Sequence, residues 1–360
     1  MGIHAEVAIR TGDTSAKEKA QLKKSPPDIL ITTPETLHVL LAQKGYPAYF
    51  KGLMAIVMDE WHELIGSKRG VQVELALSRL KTVSSQLRVW GISATIGNME
   101  ESMEVLLGNW YHERPHAFIR GDIEKVIQVE SIFPDELDTL PWAGHLGIRL
   151  IDKIIPILLH SESTLIFLNT RGQAEIWYQK LLEHSPDFAG VVALHHGSMS
   201  KETRHWVEDA LYDGRLKVVI CTSSLDLGVD FRPVDTIIQV GGPKGVSRFM
   251  QRAGRSGHQP GATSKIFFLP THSLELIEAA ALREAVELKL VESRIPFVRS
   301  FDVLIQYLVT LAVSEGFRAA EIFPEVLGTF CYNSLSEEEW QWCLDFIVYG
   351  GTSLNGYDEF

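Results

Sequence analysis

The chain has 360 residues, 45% of them apolar and 22% charged, with a formal net charge of −12. That length holds two or three folded units, and no apolar run reaches the roughly 18 residues that a membrane span needs. Three cysteines without a CxxC pair, and an N-terminus without a leader-like apolar segment, argue against a disulfide framework and predict a cytoplasmic setting.

The first candidate strands are "AEVAI", "DILIT", "MAIVM" and "RVWGI". A second block gives "TLIFLN", "VVALH", "KVVIC", "DTIIQVG" and "KIFFL". These runs are rich in Val, Ile and Leu and do not alternate with polar residues, as expected of parallel strands buried on both faces. Helical patterns lie between them. Thr33 before Pro34 is an N-cap followed by proline at the first helical position, and "ETLHVLLAQKG" is expected to stop at Gly45. "SKETRHWVEDALYDG" places Trp206, Val207, Ala210 and Leu211 on one face and stops at Gly214. From about residue 276 the pattern is helical only. "FDVLIQYLVTLAV" is an amphipathic helix, and "SEEEWQWCLDFIVYGG" is another, with a capping box of Ser336 and Glu339 and an end at Gly350. The fold expected is α/β, with two parallel-sheet lobes in tandem followed by a helical region. The joint between the lobes is placed near residues 133–144.

The charge is unevenly spread. Residues 319–360 hold eight Asp or Glu and no Lys or Arg, whereas residues 236–274 hold Lys244, Arg248, Arg252, Arg255 and Lys265 and no acid. The acidic total therefore excludes nucleic-acid binding by the whole surface and leaves room for one basic groove.

The chemistry starts at "VMDEWHEL", where an apolar run ends abruptly in Asp59 and Glu60. In parallel α/β sheets, ligands gather at the C-terminal ends of strands. Two carboxylates at such a tip divide the labour of phosphoryl transfer, one holding Mg²⁺ and one polarising the attacking water. "GISATIG" puts Ser93, Ala94 and Thr95 just after another strand, and "TSSLDLGVD" and "QRAGRSGH" follow strands of the second block. Other patterns do not carry through. "HELIG" lacks the second histidine of a zinc helix. His195 and His196 are adjacent, so on a strand they point to opposite faces and make a poor metal pair. Cys221 ends a buried strand with no base beside it, so it reads as core packing.

In their order, these segments resemble a superfamily 2 helicase. Asp59-Glu60-Trp61-His62 is similar to motif II, Ser93-Ala94-Thr95 to motif III, Thr222 to Asp230 to motif V and Gln251 to His258 to motif VI. Thr32-Thr33-Pro34-Glu35 resembles motif Ib. Together with "RTGDT", "NTRGQAE", "HHGS" and "SEEEWQWCLDFI", the chain resembles the Lhr family, in particular its bacterial ligase-associated DExH-box branch. The resemblance implies a partial RecA-like lobe over 1–132, a second RecA-like lobe over 143–275, and a helical connector with a partial winged helix over 276–360. It implies ATP and Mg²⁺, with 3′-to-5′ translocation on single-stranded DNA. Unwinding of DNA or RNA:DNA duplexes, a role in DNA repair, and DNA ligase or nuclease partners also follow from it.

The residue types suit those roles. On that resemblance Asp59 would hold Mg²⁺, Glu60 would orient water, and His62 can hydrogen-bond across the cleft. Arg252 and Arg255, three apart on a helix, can face one way, and one or both would serve as arginine fingers, with Gln251 on nucleotide or water. Ser93, Ala94, Thr95, Gly228 and Asp230 couple the lobes. Thr11, Thr33, Arg171, Ser198 and Thr222 meet strand phosphates, with Arg10 a weaker candidate. A motor of this kind also needs GxxxxGK[ST], and the sequence holds no Gly-Lys dipeptide. The expectation is that the chain begins inside lobe one, ends inside the winged helix, and does not turn ATP over alone. The alternative is a binding module without turnover.

Overall fold

The computed structural model describes residues 4–94, 96–121, 126–134, 147–226, 234–256 and 264–351. The chain divides into two compact units, Met1–Phe118 with Ser293–Phe360, and Ile119–Glu292.

The first unit opens with strand β1 (Val7–Arg10), helix α1 (Ala16–Lys24), β2 (Ile29–Thr32), α2 (Pro34–Leu41) and α3 (Tyr46–Phe50). It continues through β3 (Ala55–Met58), α4 (Trp61–Leu64), α5 (Lys68–Val83), β4 (Arg88–Gly91), α6 (Met99–Leu107) and α7 (Trp110–Glu113). Gly45 does not end α2, which stops at Leu41; with φ +83° it starts α3 instead. The strands form two separate parallel pairs, β1 with β2 and β3 with β4. One face of these pairs packs inward through Leu30, Ile56 and Val89. The other face stays open, with Ile9 61% and Trp90 59% exposed.

The second unit comprises β5 (Ile127–Ser131), α8 (Ile151–His160), β6 (Thr164–Phe167), α9 (Arg171–His184), β7 (Val192–His195), α10 (Lys201–Tyr212) and β8 (Val218–Cys221). It ends with β9 (Thr236–Val240), α11 (Val246–Ala253), β10 (Ser264–Leu269) and α12 (Leu274–Glu287). Its six strands form one parallel sheet in the order β5-β10-β9-β6-β8-β7. Alternate residues divide between two cores, as strand geometry requires. Leu165, Phe167, Val219 and Ile237 enter one core, and Ile166, Val218, Ile220 and Ile238 the other. On α10, Val207, Ala210 and Leu211 are buried as expected, but Trp206 is exposed beside the Arg215 guanidinium.

After the second unit the chain returns to the first with α13 (Phe301–Val313), α14 (Ala319–Leu327) and α15 (Glu337–Tyr349), the last entered through the Ser336–Glu339 capping box. These helices share one core with α2, α3 and α5, where Leu37, Leu41 and Leu75 meet Leu304, Leu308, Ile322 and Trp340. Two expected boundaries shift in consequence. Residues 127–131, assigned to the first lobe, form β5 and pair with β10, and residues 276–292 stay with the second unit.

Candidate functional site

At the tip of β3 the backbone turns sharply. Glu60 takes a left-handed conformation (φ 48°, ψ 43°), which costs a residue with a Cβ roughly 1–3 kcal/mol and persists only when its surroundings hold it. They do. Trp61 is buried, its indole N–H donates to the Ser102 carbonyl at 2.9 Å, and its backbone N–H donates to the Ile92 carbonyl at 2.9 Å. The turn leaves Asp59 exposed and Glu60 half-buried, with the Glu60 N–H donating to Asp59 Oδ1 at 3.0 Å. Their carboxylate oxygens are hard donors, suited to an ion that takes one or two carboxylates and completes its shell with phosphate and water. Among the described residues no group of three or more His, Cys, Asp or Glu forms a metal cage.

His62 is fully buried in the first unit, and its Nδ1 accepts the Ala94 N–H at 3.1 Å. Burial lowers its pKa below the ordinary histidine range, against the pull of Glu63, so the ring is neutral with its proton on Nε2. Within the first unit His62 ties the turn after β3 to the loop after β4. In that loop Ser93 is half-buried and its hydroxyl donates to the Ala94 carbonyl at 2.7 Å. Thr95, Gly228 and Asp230 lie outside the described residues.

In the second unit the arginines are placed differently from expectation. Arg252 is 2% exposed, with Nε and Nη2 on the two oxygens of Asp226 at 2.7 and 3.0 Å. Its Nη1 reaches Gln239, and the guanidinium carbon lies 4.6 Å from the centre of the Phe167 ring. A guanidinium held on three sides in the core is a structural strut, so Arg252 is not a finger. Arg255 falls beyond the end of α11 and is half-buried, its Nη2 donating to the Asp226 carbonyl at 2.7 Å. Gln251 is half-buried in the last turn of α11. Asp226, which sequence reasoning passed over, is therefore the hub joining the loop after β8 to the end of α11. Only the position of an acid in "TSSLDLGVD" could have signalled it.

Three expected strand contacts converge. The neighbours β6, β8 and β7 point the same way, so the loops bearing Arg171, Thr222 and Ser198 emerge side by side. Arg171 and Ser198 are exposed and Thr222 is half-buried. Two of these loops are joined by a second group that sequence reasoning missed. His195, at the end of β7, is 1% exposed; its Nδ1 lies 2.8 Å from Ser224 Oγ and its Nε2 3.0 Å from Glu208 Oε1. Burial lowers its pKa against the pull of Glu208, and the Ser224 hydroxyl donates to the His195 carbonyl at 3.0 Å. The Thr222 N–H donates to that same carbonyl at 3.2 Å. In the first unit Thr11 and Thr33 follow the paired strands β1 and β2. The Thr33 hydroxyl is engaged as the N-cap of α2, accepting the Thr36 N–H at 3.3 Å.

Paired carboxylates on a parallel-strand tip, a serine loop beside them and an arginine-bearing helix end on a second parallel sheet define a DEAD/DEAH-box helicase architecture. Family models match in series: DEAD/DEAH box helicase over residues 1–102, helicase conserved C-terminal domain over 148–259, and the winged helix domain of large helicase-related protein over 284–360. These are helicase domains, and the chain is similar to the Lhr helicases over almost its whole length. It is 34% identical over 356 residues to an ATP-dependent helicase Lhr-Core of Methanocaldococcus jannaschii, covering 98% of this chain and 41% of the relative. It is 31% identical to the Lhr helicase/uracil glycosylase of Escherichia coli, covering 96% of this chain and 25% of that protein. The structure of Mycobacterium smegmatis helicase Lhr bound to ssDNA and AMP-PNP superposes with a TM-score of 0.84 at 30% identity, covering 95% of this chain and 45% of that one. The chain thus spans about two fifths of the length of the Lhr-Core relatives it matches.

Proposed function

We propose that this chain carries the hydrolytic carboxylates and the strand track of an ATP-dependent helicase that moves 3′ to 5′ on single-stranded DNA and opens DNA or RNA:DNA duplexes. The observation that carries the reading is the turn after β3, where a left-handed residue on a buried Trp61–His62 anchor presents Asp59 and Glu60 to solvent. Asp59 would hold Mg²⁺, which supplies charge for the phosphates, and Glu60 would orient the attacking water. Arg255 is the arginine we assign to the nucleotide. Arg171, Ser198 and Thr222 meet strand phosphates, joined by Thr11 and Thr33 from the first unit. Phosphate contacts suit a motor that must accept any base. We place the protein in the cytoplasm, in DNA repair with a ligase or nuclease as partner.

A second reading, a single-strand grip without turnover, is favoured by one observation: the sequence has no Gly-Lys dipeptide to cradle phosphates. ATP hydrolysis by the purified chain, with and without single-stranded DNA, tests both beside a Glu60→Gln control. We expect the 360-residue chain to bind single strands without turnover. DNA-stimulated turnover lost in the control would establish a complete motor, and no strand binding at all would sink both readings.

A further inference from the structure

The segment that follows the second unit, residues 293–298, has no regular secondary structure, yet it is fastened to the carboxylate turn at several points. The Arg294 N–H donates to Asn98 Oδ1 at 2.8 Å, and the Arg294 carbonyl accepts from Asn98 Nδ2 at 2.8 Å. One amide side chain thus grips this strap as a neighbouring strand would. Arg294 Nη2 meets Glu63 Oε1 at 3.2 Å. One residue on, the Ile295 carbonyl passes so close to Gly66 (φ +70°) that a Cβ there would lie 2.6 Å from it. Pro296 and Phe297 then line a narrow crevice with Trp61, Ile65 and Gly70.

Glu63 is the branch point. The oxygen that takes Arg294 is 3.7 Å from His62 Nε2, and the other nitrogen of that ring holds the Ala94 N–H and lies 3.5 Å from Glu60 Oε2. From the strap the path reaches the strained turn through the backbone, where the Glu63 N–H donates to the Glu60 carbonyl at 2.8 Å, and it reaches the Ala94 loop through His62.

We propose that Arg294 is a positioning residue for the Asp59–Glu60 pair. It holds Glu63 against His62 and thereby fixes both the left-handed turn at Glu60 and the Ser93–Ala94 loop. The strap leads directly into α13, so the C-terminal helices and the carboxylate turn are mechanically one part. The consequence for hydrolysis rests on the function proposed above; the clamp itself does not, and it is testable without ATP.

The test is hydrogen exchange on the full chain, read by mass spectrometry at Trp61–Gly66 and at α13. Arg294→Glu is expected to speed exchange at Trp61–Gly66 about tenfold while α13 keeps its protection. Glu63→Arg should do the same, and the double reversal should return exchange most of the way to wild type. A role limited to local packing does not predict the rescue. Unchanged exchange in the single reversals, or a double reversal no closer to wild type than its parents, overturns the clamp. If the reversals also strip protection from α13, Arg294→Gln and Asn98→Ala carry the same expectation, and no change at Trp61–Gly66 overturns it equally. Turnover insensitive to Glu60→Gln would remove the hydrolytic reading and leave the clamp standing.

Discussion

Phe167 in β6 is fully buried, whereas Ile31 in β2 is 52% exposed, although both belong to apolar runs of the same kind in the sequence. The second unit completes its sheet. Strands β6, β8 and β9 are flanked on both edges and covered on both faces, and every residue in them is buried. The first unit holds two strand pairs with alternating burial, and takes its stability elsewhere, from a helical core to which α13, α14 and α15 contribute. Strand sequence records how much cover a strand is built to receive. Which segment supplies the cover is written in other parts of the chain, and in the first unit that supplier includes helices that begin only at Phe301, far downstream of β2 at Ile29–Thr32.

The comparison breaks first at Asp226. If the second unit owes its order to the strut between the loop after β8 and α11, Asp226→Ala leaves the Arg252 charge buried without its partner. Removing one member of such a pair costs roughly 3–5 kcal/mol. Urea unfolding should show the second unit giving way at lower denaturant than the first. A loss below about 1 kcal/mol would mean that Arg252 finds another partner and is no strut.

Most of the architecture was legible because buried parallel strands announce themselves as unbroken apolar runs. The strand that escaped notice, β5, is the informative exception. It sits at an edge with an alternating burial pattern, Ile127 and Val129 inward and Gln128 and Glu130 outward, so it has no such run. The carboxylate turn was legible as a motif, and its placement at a strand tip was found as expected. The role of Arg252 was not, because spacing of three puts it level with Arg255 but says nothing of an aspartate 26 residues away. His195 and Arg294 were illegible for the same reason, since their partners come from other elements. Motifs show which side chains have chemical potential; burial decides which of them are spent on holding the others.

In the first unit the sharpest test is pH. Glu74 on α5 is buried and accepts the Cys331 N–H at 2.8 Å, joining the lobe to the C-terminal helices, and burial pushes its pKa from 4.5 up to about 8. A carboxyl whose folded pKa is raised binds its proton more tightly folded than unfolded. Its contribution is full below the unfolded value and is lost as pH rises through the folded one. The first unit should therefore lose stability, on the order of a few kcal/mol, between pH 5 and 8. Lys81, whose folded pKa is lowered to about 8, acts in the opposite sense and only above that window. Glu74→Gln keeps an acceptor for Cys331 and should flatten the slope. Melting curves at pH 5, 6.5 and 8 that remain parallel to wild type would refute this.

A smaller effect should separate stability from strand grip in the second unit. His195→Asn removes the bond to Glu208 and loosens the join between the loops of Ser198 and Thr222. The loss in stability should be about 1–2 kcal/mol, as for one buried hydrogen-bond partner. Affinity for single-stranded DNA, measured by fluorescence anisotropy at fixed salt, should fall as well if those loops bear the phosphates. Unaltered affinity beside the expected destabilisation would detach the His195 group from the proposed track.

The smallest effect discriminates two uses of one hydroxyl. Thr33 caps α2 in the first unit and is also a proposed strand contact. Thr33→Ala should cost about 1 kcal/mol, the usual value of a lost N-cap, whereas Thr33→Ser keeps the capping oxygen and should cost only a few tenths. If the hydroxyl acts on the strand only by holding the start of α2, DNA affinity should follow stability through both variants. A Thr33→Ala chain that binds DNA poorly yet unfolds like wild type would make Thr33 a direct contact and its cap dispensable. The first unit would then grip the strand at a residue that its own helix does not need.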